Sequence, residues 1–263
     1  MATNYPYIAV LTPTKNRKQH LPFQVEQMKY QSYPIERIMW IIVDSSDTED
    51  KSWIEIQDLF PNVCYKSVPS DTTLGESRNL TLDIATALNP KPDYIMFMDD
   101  DDIIHKNRFI NSVRELENNP DYNVAGCSNV LLFLVRNQDL VEIGSLTDLS
   151  GGSIHHALEP TLCVRYDYIT THFFDNEDKF GRLPPFLRGW SEPIVQLNPW
   201  ETCIIIGHDE STFDKYQVVA EENKKKFNVV RHEKNYGFVR VSRDWCMGPE
   251  LAGLFSTIHD LGL

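Results

Sequence analysis

The sequence predicts an α/β protein built on a mostly parallel central sheet, and three observations predict it. Apolar runs alternate with helix-like segments through the first hundred residues, the pattern of parallel strands joined by crossover helices. The run Tyr94-Ile95-Met96-Phe97-Met98 is apolar throughout and unbroken by Gly or Pro, as a buried strand requires. Four adjacent carboxylates, Asp99-Asp100-Asp101-Asp102, follow it directly, where open α/β sheets collect ligands.

In chain order, a strand over residues 7–11 leads to a helix near 18–31 and a strand over 37–43. A helix near 52–60 and a short strand over 63–67 come next. The helix over 74–88 carries Leu80, Ile84, Ala87 and Leu88 on one stripe, and Thr73 and Glu76 stand at capping-box spacing before it. After the aspartates the pattern changes. A helix at 106–118 precedes strand-like runs over 123–135 and 140–143, which read as a hairpin or a mixed-sheet addition. Residues 145–200 are rich in Gly, Pro and aromatics and show no period; a strand over 202–206 ends in Gly207-His208, and 211–226 reads as a helix.

The chain has 263 residues, 41% of them hydrophobic, and a formal net charge of −13. That charge argues against nucleic acid or an anionic membrane as the main partner, since both reward clustered Lys and Arg. A phosphate-bearing small molecule stays compatible with it, because a metal and a few local cations reverse the field inside a cleft. The five cysteines are scattered without C-x-x-C spacing, so reduced thiols are expected and neither a disulfide framework nor a zinc site is implied. The N-terminal residues lack the basic and apolar regions of a signal peptide, and no segment approaches the ~20 apolar residues of a membrane span. A soluble, cytoplasmic protein is the expectation.

Four neighbouring carboxylates repel one another, and some are driven toward protonation unless a cation shares the site. On extended backbone Asp99 and Asp101 point one way and Asp100 and Asp102 the other, so one pair can hold one ion. Oxygen ligation suits Mg²⁺ or Mn²⁺, which keep open positions for substrate phosphates. The alternative is an acidic surface turn in which Asp102 caps the following helix.

Four motifs now stand at strand ends of one sheet: Thr12-Pro13-Thr14-Lys15-Asn16-Arg17, Asp44-Ser45-Ser46-Asp47, Gly75-Glu76-Ser77-Arg78-Asn79 and the aspartate run. In that order and spacing, over residues 5–210, the chain resembles the family 2 glycosyltransferases. The resemblance implies the A-type fold, a Rossmann-like, mostly parallel central sheet with a mixed or antiparallel extension on the acceptor side. It implies one domain over residues 1–263, with a nucleotide-binding half to about 105, an acceptor-side half over about 106–226 and a C-terminal extension. A metal-dependent, inverting transfer of a sugar from a nucleotide diphosphate donor to a hydroxyl of a glycan or similar acceptor follows from it.

By that resemblance Asp101 is the direct ligand of Mn²⁺ or Mg²⁺, Asp99 contacts the ribose or the metal, Asp100 and Asp102 support them, and His208 completes the metal site. Asp44 accepts a hydrogen bond from uracil, which favours a UDP-sugar over a GDP-sugar. Thr12, Thr14, Asn16 and Arg17 wrap the base and ribose, and Arg78 reaches the uracil or diphosphate. Read as residues alone, Asp44 is a turn aspartate, Arg78 an exposed helix arginine in a salt bridge and His208 a structural histidine. His155-His156 either line the acceptor side or are solvated. Trp190, Trp200 and Trp245 are either stacking platforms or packing residues, and the tail with Tyr236-Gly237-Phe238 either closes the acceptor site or mediates dimerisation.

An inverting transfer needs a general base. Relatives with a Phe-Leu block followed by Pro-Ile-x-Gln-Leu carry acidic residues four and three positions before it, where this chain has Arg182 and Leu183. Glu177, Asp178 and Glu192 are the candidate substitutes, with Asp209 or Glu210 reaching from the other side. That departure keeps a non-catalytic nucleotide-sugar-binding or scaffolding role in view. A sugar-1-phosphate nucleotidyltransferase is disfavoured, because no Gly-rich phosphate loop follows the first strand.

Overall fold

The computed structural model describes residues 5–48, 55–136, 139–144, 153–208, 215–220 and 229–231. The first hundred residues run β1 (Ile8–Thr14), α1 (Leu21–Lys29), β2 (Ile38–Asp44), α2 (Ile56–Leu59), β3 (Val63–Ser67), α3 (Leu74–Ala87) and β4 (Tyr94–Phe97). Then come β5 (Ile103–Ile104), α4 (Arg108–Asn118), β6 (Val124–Gly126), β7 (Val130–Leu134), β8 (Asp139–Ile143), β9 (Cys163–Arg165), β10 (Ile194–Gln196), β11 (Cys203–Gly207) and β12 (Val229–Arg231).

One seven-stranded sheet has the order β10-β6-β9-β4-β1-β2-β3. Strands β3, β2, β1 and β4 are parallel, β9 runs antiparallel to both β4 and β6, and β10 is parallel to β6. The central strands are buried on both faces, as parallel strands covered by helices are. Ile8, Val10, Trp40, Ile42 and Met96 pack on one face with Val25 and Met28 of α1 and Phe109 and Val113 of α4. Ala9, Leu11, Ile41, Ile95 and Phe97 pack on the other with Leu82 and Ala85 of α3 and with Phe186 and Leu187. The register that sets Ile8 beside Ile38 also sets Thr14 beside Asp44, so both strand ends finish at one edge.

Strand β1 runs three residues beyond its predicted end, through Pro13. Strand β4 stops opposite Leu11, so the missing N–H of Pro13 breaks no ladder bond. The predicted 18–31 helix begins as a 3₁₀ turn at Lys18–His20 and becomes α-helical at Leu21, with Pro22 in its first turn. Helix α3 carries the full capping box: Thr73 Oγ1 accepts from the Glu76 amide at 3.1 Å, and Glu76 Oε2 accepts from the Thr73 amide at 2.8 Å.

The apolar run 123–135 is two strands in two sheets. The break falls at Cys127, whose amide donates to Thr161 Oγ1, and at Ser128, whose amide donates to Gln196 Oε1. The second sheet has the order β12-β8-β7-β11-β5, with β7 and β8 as the expected antiparallel hairpin. Only part of the 211–226 segment falls within the described residues, and there 217–219 form one 3₁₀ turn in place of the predicted helix. Among the described residues no helix is long and apolar enough to cross a membrane. The tail around 236–247, Trp245 included, lies outside the described residues.

Candidate active site

A cleft of about 1170 Å³ opens at the C-terminal ends of β1 and β4, lined among others by residues 13–17, Ser45, residues 71–74, residues 99–101, Arg182 and Lys215. Its floor is the aspartate run. Strand β4 ends at Phe97, and the run forms a turn instead of continuing the strand. Two buried glutamines one turn apart on α1 fix that turn. Gln24 Nε2 donates to the Asp100 and Asp102 carbonyls at 2.8 and 3.2 Å, Gln27 Nε2 donates to the Asp102 carbonyl at 3.0 Å, and Gln27 Oε1 accepts from the Ile104 amide.

The turn corrects the expected alternation. Carboxylate oxygens of Asp99, Asp101 and Asp102 lie within 4.8 Å of one another, so Asp102 joins the Asp99/Asp101 group instead of facing away. Asp102 Oδ1 accepts from the Ile206 amide at 3.0 Å, tying the turn to β11, while its Oδ2 is buried with no hydrogen-bond partner. Asp102 therefore caps no helix. Asp100 faces the β1 loop, with Oδ2 accepting from Thr14 Oγ1 and Oδ1 lying 3.3 Å from the Arg17 guanidinium. Asp101 is ion-paired with Arg17, and His208 Nε2 lies 2.8 Å from Asp101 Oδ2. His208 thus stands behind Asp101 at the end of β11.

Burial raises the carboxyls of Asp99 and Asp102, the latter well above its usual range, and pushes Asp100 up to about 7. Burial acts on Asp101 in the same sense, but Lys215, the His208 hydrogen bond and Arg17 outweigh it and hold this carboxyl well below the usual range. Fully ionised, the four carboxylates exceed the neighbouring cations Arg17 and Lys215 by two charges, Arg78 being offset by Glu159, and one divalent ion makes up that difference. Three converging carboxylates, one with an unsatisfied buried oxygen, fit a hard cation such as Mg²⁺ or Mn²⁺.

The loops after β1 and β2 are laced together. The Asn16 amide donates to Ser46 Oγ at 2.6 Å, the Asp47 amide donates to Asn16 Oδ1 at 2.9 Å, and Asn16 takes a left-handed φ of 55° to do so. Thr14, Asn16 and Arg17 line the cleft. Thr12 does not: it is fully buried, and its Oγ1 accepts from Trp40 Nε1. Asp44 is also fully buried, with Oδ1 accepting from the Ser46 amide and Oδ2 from the Tyr65 hydroxyl, and Ser45 takes its place on the cleft wall.

Arg78 is buried, not exposed. It forms an ion pair with Glu159, donates to the carbonyls of Phe180 and Gly181, and lies over the Phe174 ring. Burial lowers it to about 10, against the pull of Asp99 and Asp178. Of the candidate bases, Glu177 is exposed on the outside of the loop and Asp178 lies beside the cleft. The Asp178 carboxylate accepts from the Phe180 and Arg182 amides and from Arg182 Nε; these bonds hold it below the usual range although burial pushes the other way. Glu192 is buried near Asn123 and Arg188, at the opposite end of the sheet. Asp209 and Glu210 lie outside the described residues.

The rings of His156, Trp190 and Trp200 pack against neighbouring side chains. His156 is buried 4.8 Å from the Trp190 ring, His155 Nδ1 contacts the Glu192 carbonyl, and Trp200 packs against the second sheet. Sequence reasoning missed Gln24, Gln27 and Lys215. Two glutamines three apart on the buried side of α1 were a readable signal for the first pair, while Lys215, whose Nζ donates to the Ile206 carbonyl at 2.7 Å, gave none.

Residues 9–131 match the profile of glycosyl transferase family 2. No curated protein matches the sequence. Among solved structures, residues 1–349 of S. aureus TarS in complex with UDP align at 17% identity over 81% of this chain and 63% of that one, with a TM-score of 0.55. The same protein in complex with UDP-GlcNAc aligns at 15% identity over 78% of this chain and 60% of that one, with a TM-score of 0.54. The mannosyltransferase PcManGT from Pyrobaculum calidifontis, in complex with GDP-Man and Mn²⁺, aligns at 14% over 80% of this chain and 59% of that one, with a TM-score of 0.59. The chain thus spans less than two thirds of these relatives' length. With a profile match over residues 9–131 and a structural likeness over about four fifths of its length, the chain has the A-type fold of family 2-like glycosyltransferases.

Proposed function

We propose that the protein is a metal-dependent glycosyltransferase that moves a sugar from a nucleoside diphosphate donor, a UDP-sugar in the first instance, to a hydroxyl of a glycan or related acceptor with inversion. The observation that carries this reading is the convergence of Asp99, Asp101 and Asp102 beside Arg17 at the mouth of parallel strands. Such a site suits a diphosphate leaving group, which gains charge as the glycosidic bond breaks. When bound, Mn²⁺ or Mg²⁺ supplies Lewis-acid stabilisation of that charge, held by Asp99, Asp101 and Asp102. Of the two other proposed contacts, His208 fixes Asp101 in its ligating position, and Asp100, held by Thr14, orients Arg17. Arg17 turns its planar guanidinium to the phosphates, and Asn16 with Ser45 borders the nucleoside. The role of Asp44 is to shape that border through its turn. Arg78 acts through the turn it holds, by fixing the part of the cleft wall that carries Phe180.

The acceptor hydroxyl must lose a proton. Asp178 has its oxygens engaged, Glu177 faces outward and Glu192 is remote, so Asp209 and Glu210, directly after His208 in sequence, take that role in this proposal. Those same engaged carboxylates favour one second reading, a binding subunit without turnover. Release of UDP from UDP-GlcNAc, UDP-glucose and UDP-galactose in Mn²⁺, with Asp101→Asn as control, tests the proposal. Metal-dependent release by the natural chain alone supports an enzyme; tight donor binding with no release from any donor supports the binder.

A further inference from the structure

The turn over residues 178–182 is held far more firmly than its position on the surface requires. Its backbone is locked from below: Arg78, buried and paired with Glu159, donates to the carbonyls of Phe180 and Gly181. Gly181 has a φ of +56°, and a Cβ there would collide with the Arg78 guanidinium. It is locked from within by Asp178, which accepts from the amides of Phe180 and Arg182. A buried ion pair is costly to desolvate and a poor source of stability on its own. Here it fixes a turn whose own side chains are left outside.

Those side chains have a common character. Phe180 is 59% exposed and lies on the cleft wall. The Arg182 side chain is 73% exposed, yet its Nε is pinned 2.9 Å from Asp178 Oδ2, so the guanidinium is exposed and oriented at once. Lys179 stands beside them on the same wall. An aromatic side chain thus stands on the cleft wall between two cations, one of which, Arg182, is paired with Asp178. It comes from a different segment of the chain than the loops at 13–17 and 45 that the donor reading already uses, and lines the same cleft with them.

We propose that this turn is the acceptor subsite of the cleft and that it takes an anionic sugar, with the ring face on Phe180 and the phosphate or carboxylate on Lys179 and Arg182. The apolar C–H face of a sugar ring complements the electron-rich face of an aromatic ring. A guanidinium pinned at one nitrogen matches a phosphate or carboxylate without further ordering cost. The inference rests on the glycosyltransferase reading, since it needs a donor across the cleft.

Saturation-transfer NMR on the full chain, with UDP and Mg²⁺ present, tests it with glucose, glucose 6-phosphate, glucuronate and inorganic phosphate as probes. The phosphate and carboxylate arms identify which anion is preferred. Ring-proton transfer to one or both anionic sugars, well above that to glucose, is expected. Phe180→Ala should remove that transfer, and the double variant Lys179→Gln, Arg182→Gln should weaken it about tenfold, the loss implied by charge-assisted hydrogen bonds. Equal binding of glucose, binding of inorganic phosphate as tight as that of the sugars, unchanged binding in the variants, or displacement of the sugars by UDP would each overturn the proposal. UDP resonances in the same samples separate the two readings: UDP bound without any sugar bound defeats the subsite alone, and UDP unbound defeats the glycosyltransferase reading beneath it.

Discussion

His208 Nε2 lies 2.8 Å from Asp101 Oδ2, and this contact joins the end of β11 to the turn after β4 across the seam between the two sheets. The second sheet thereby braces the carboxylate cluster. Asp101 is held from two sides, by His208 and by Arg17, and is kept anionic where its neighbours are driven toward protonation. Asp101→Asn is expected to abolish Mn²⁺ binding measured by calorimetry while circular dichroism and thermal midpoint stay close to those of the natural chain. Retained Mn²⁺ affinity would remove Asp101 from the ligand set.

Arg17 pairs with Asp100 and with Asp101, one of the three carboxylates proposed to hold the ion. Arg17→Met is therefore expected to bind Mn²⁺ alone more tightly, since a competing cation is gone, and to bind UDP with Mn²⁺ more weakly. Opposite shifts in two titrations of one variant are the signature. A parallel loss of both affinities would mean that Arg17 only supports the turn.

Arg78 and Glu159 form a buried pair, and removing one partner strands the other. Arg78→Met is expected to cost about 3–5 kcal/mol in urea unfolding, as breaking a buried pair does, and Arg78→Met with Glu159→Gln should recover part of it. A loss below about 1 kcal/mol for Arg78→Met would contradict the burial of the pair.

His156 is buried against Trp190, and burial lowers its imidazole from 6.5 to about 4. The unfolded chain protonates it at higher pH than the folded chain, so the stability from keeping it neutral is whole above pH 6.5 and is lost as pH falls toward 4. The loss across that window is at most about 3 kcal/mol. His156→Gln should flatten the stability profile between pH 6.5 and 4 by a comparable amount; an unchanged slope would count against the burial. His20, lowered to about 4 chiefly by the same effect, is present in both proteins and drops out of the comparison.

Much of this arrangement was legible in the residues. The capping box of Thr73 and Glu76 marked α3, the unbroken apolar run marked β4, and the aspartates with Arg17 and Thr14 meet as their positions after adjacent strands predicted. What escaped depends on partners far away in sequence. The break between β6 and β7 is set by Thr161 and Gln196 capturing two amides, so the run 123–135 looks continuous when read alone. The aspartates turn because Gln24 and Gln27 hold their carbonyls, and strand alternation fails there. Asp44 and Thr12 point inward because Tyr65 and Trp40 offer buried donors. Arg78 sits at a helix start that reads as exposed until the 178–182 turn covers it.

The central claim is that the acidic turn binds a nucleoside diphosphate through a divalent ion, and calorimetric titration with UDP, GDP and CDP, each in Mn²⁺ and again in chelator, tests it most directly. UDP is expected to bind in Mn²⁺ and to lose that binding in chelator, with GDP and CDP weaker. Binding of no nucleotide in Mn²⁺, or UDP binding unchanged by chelator, would contradict it.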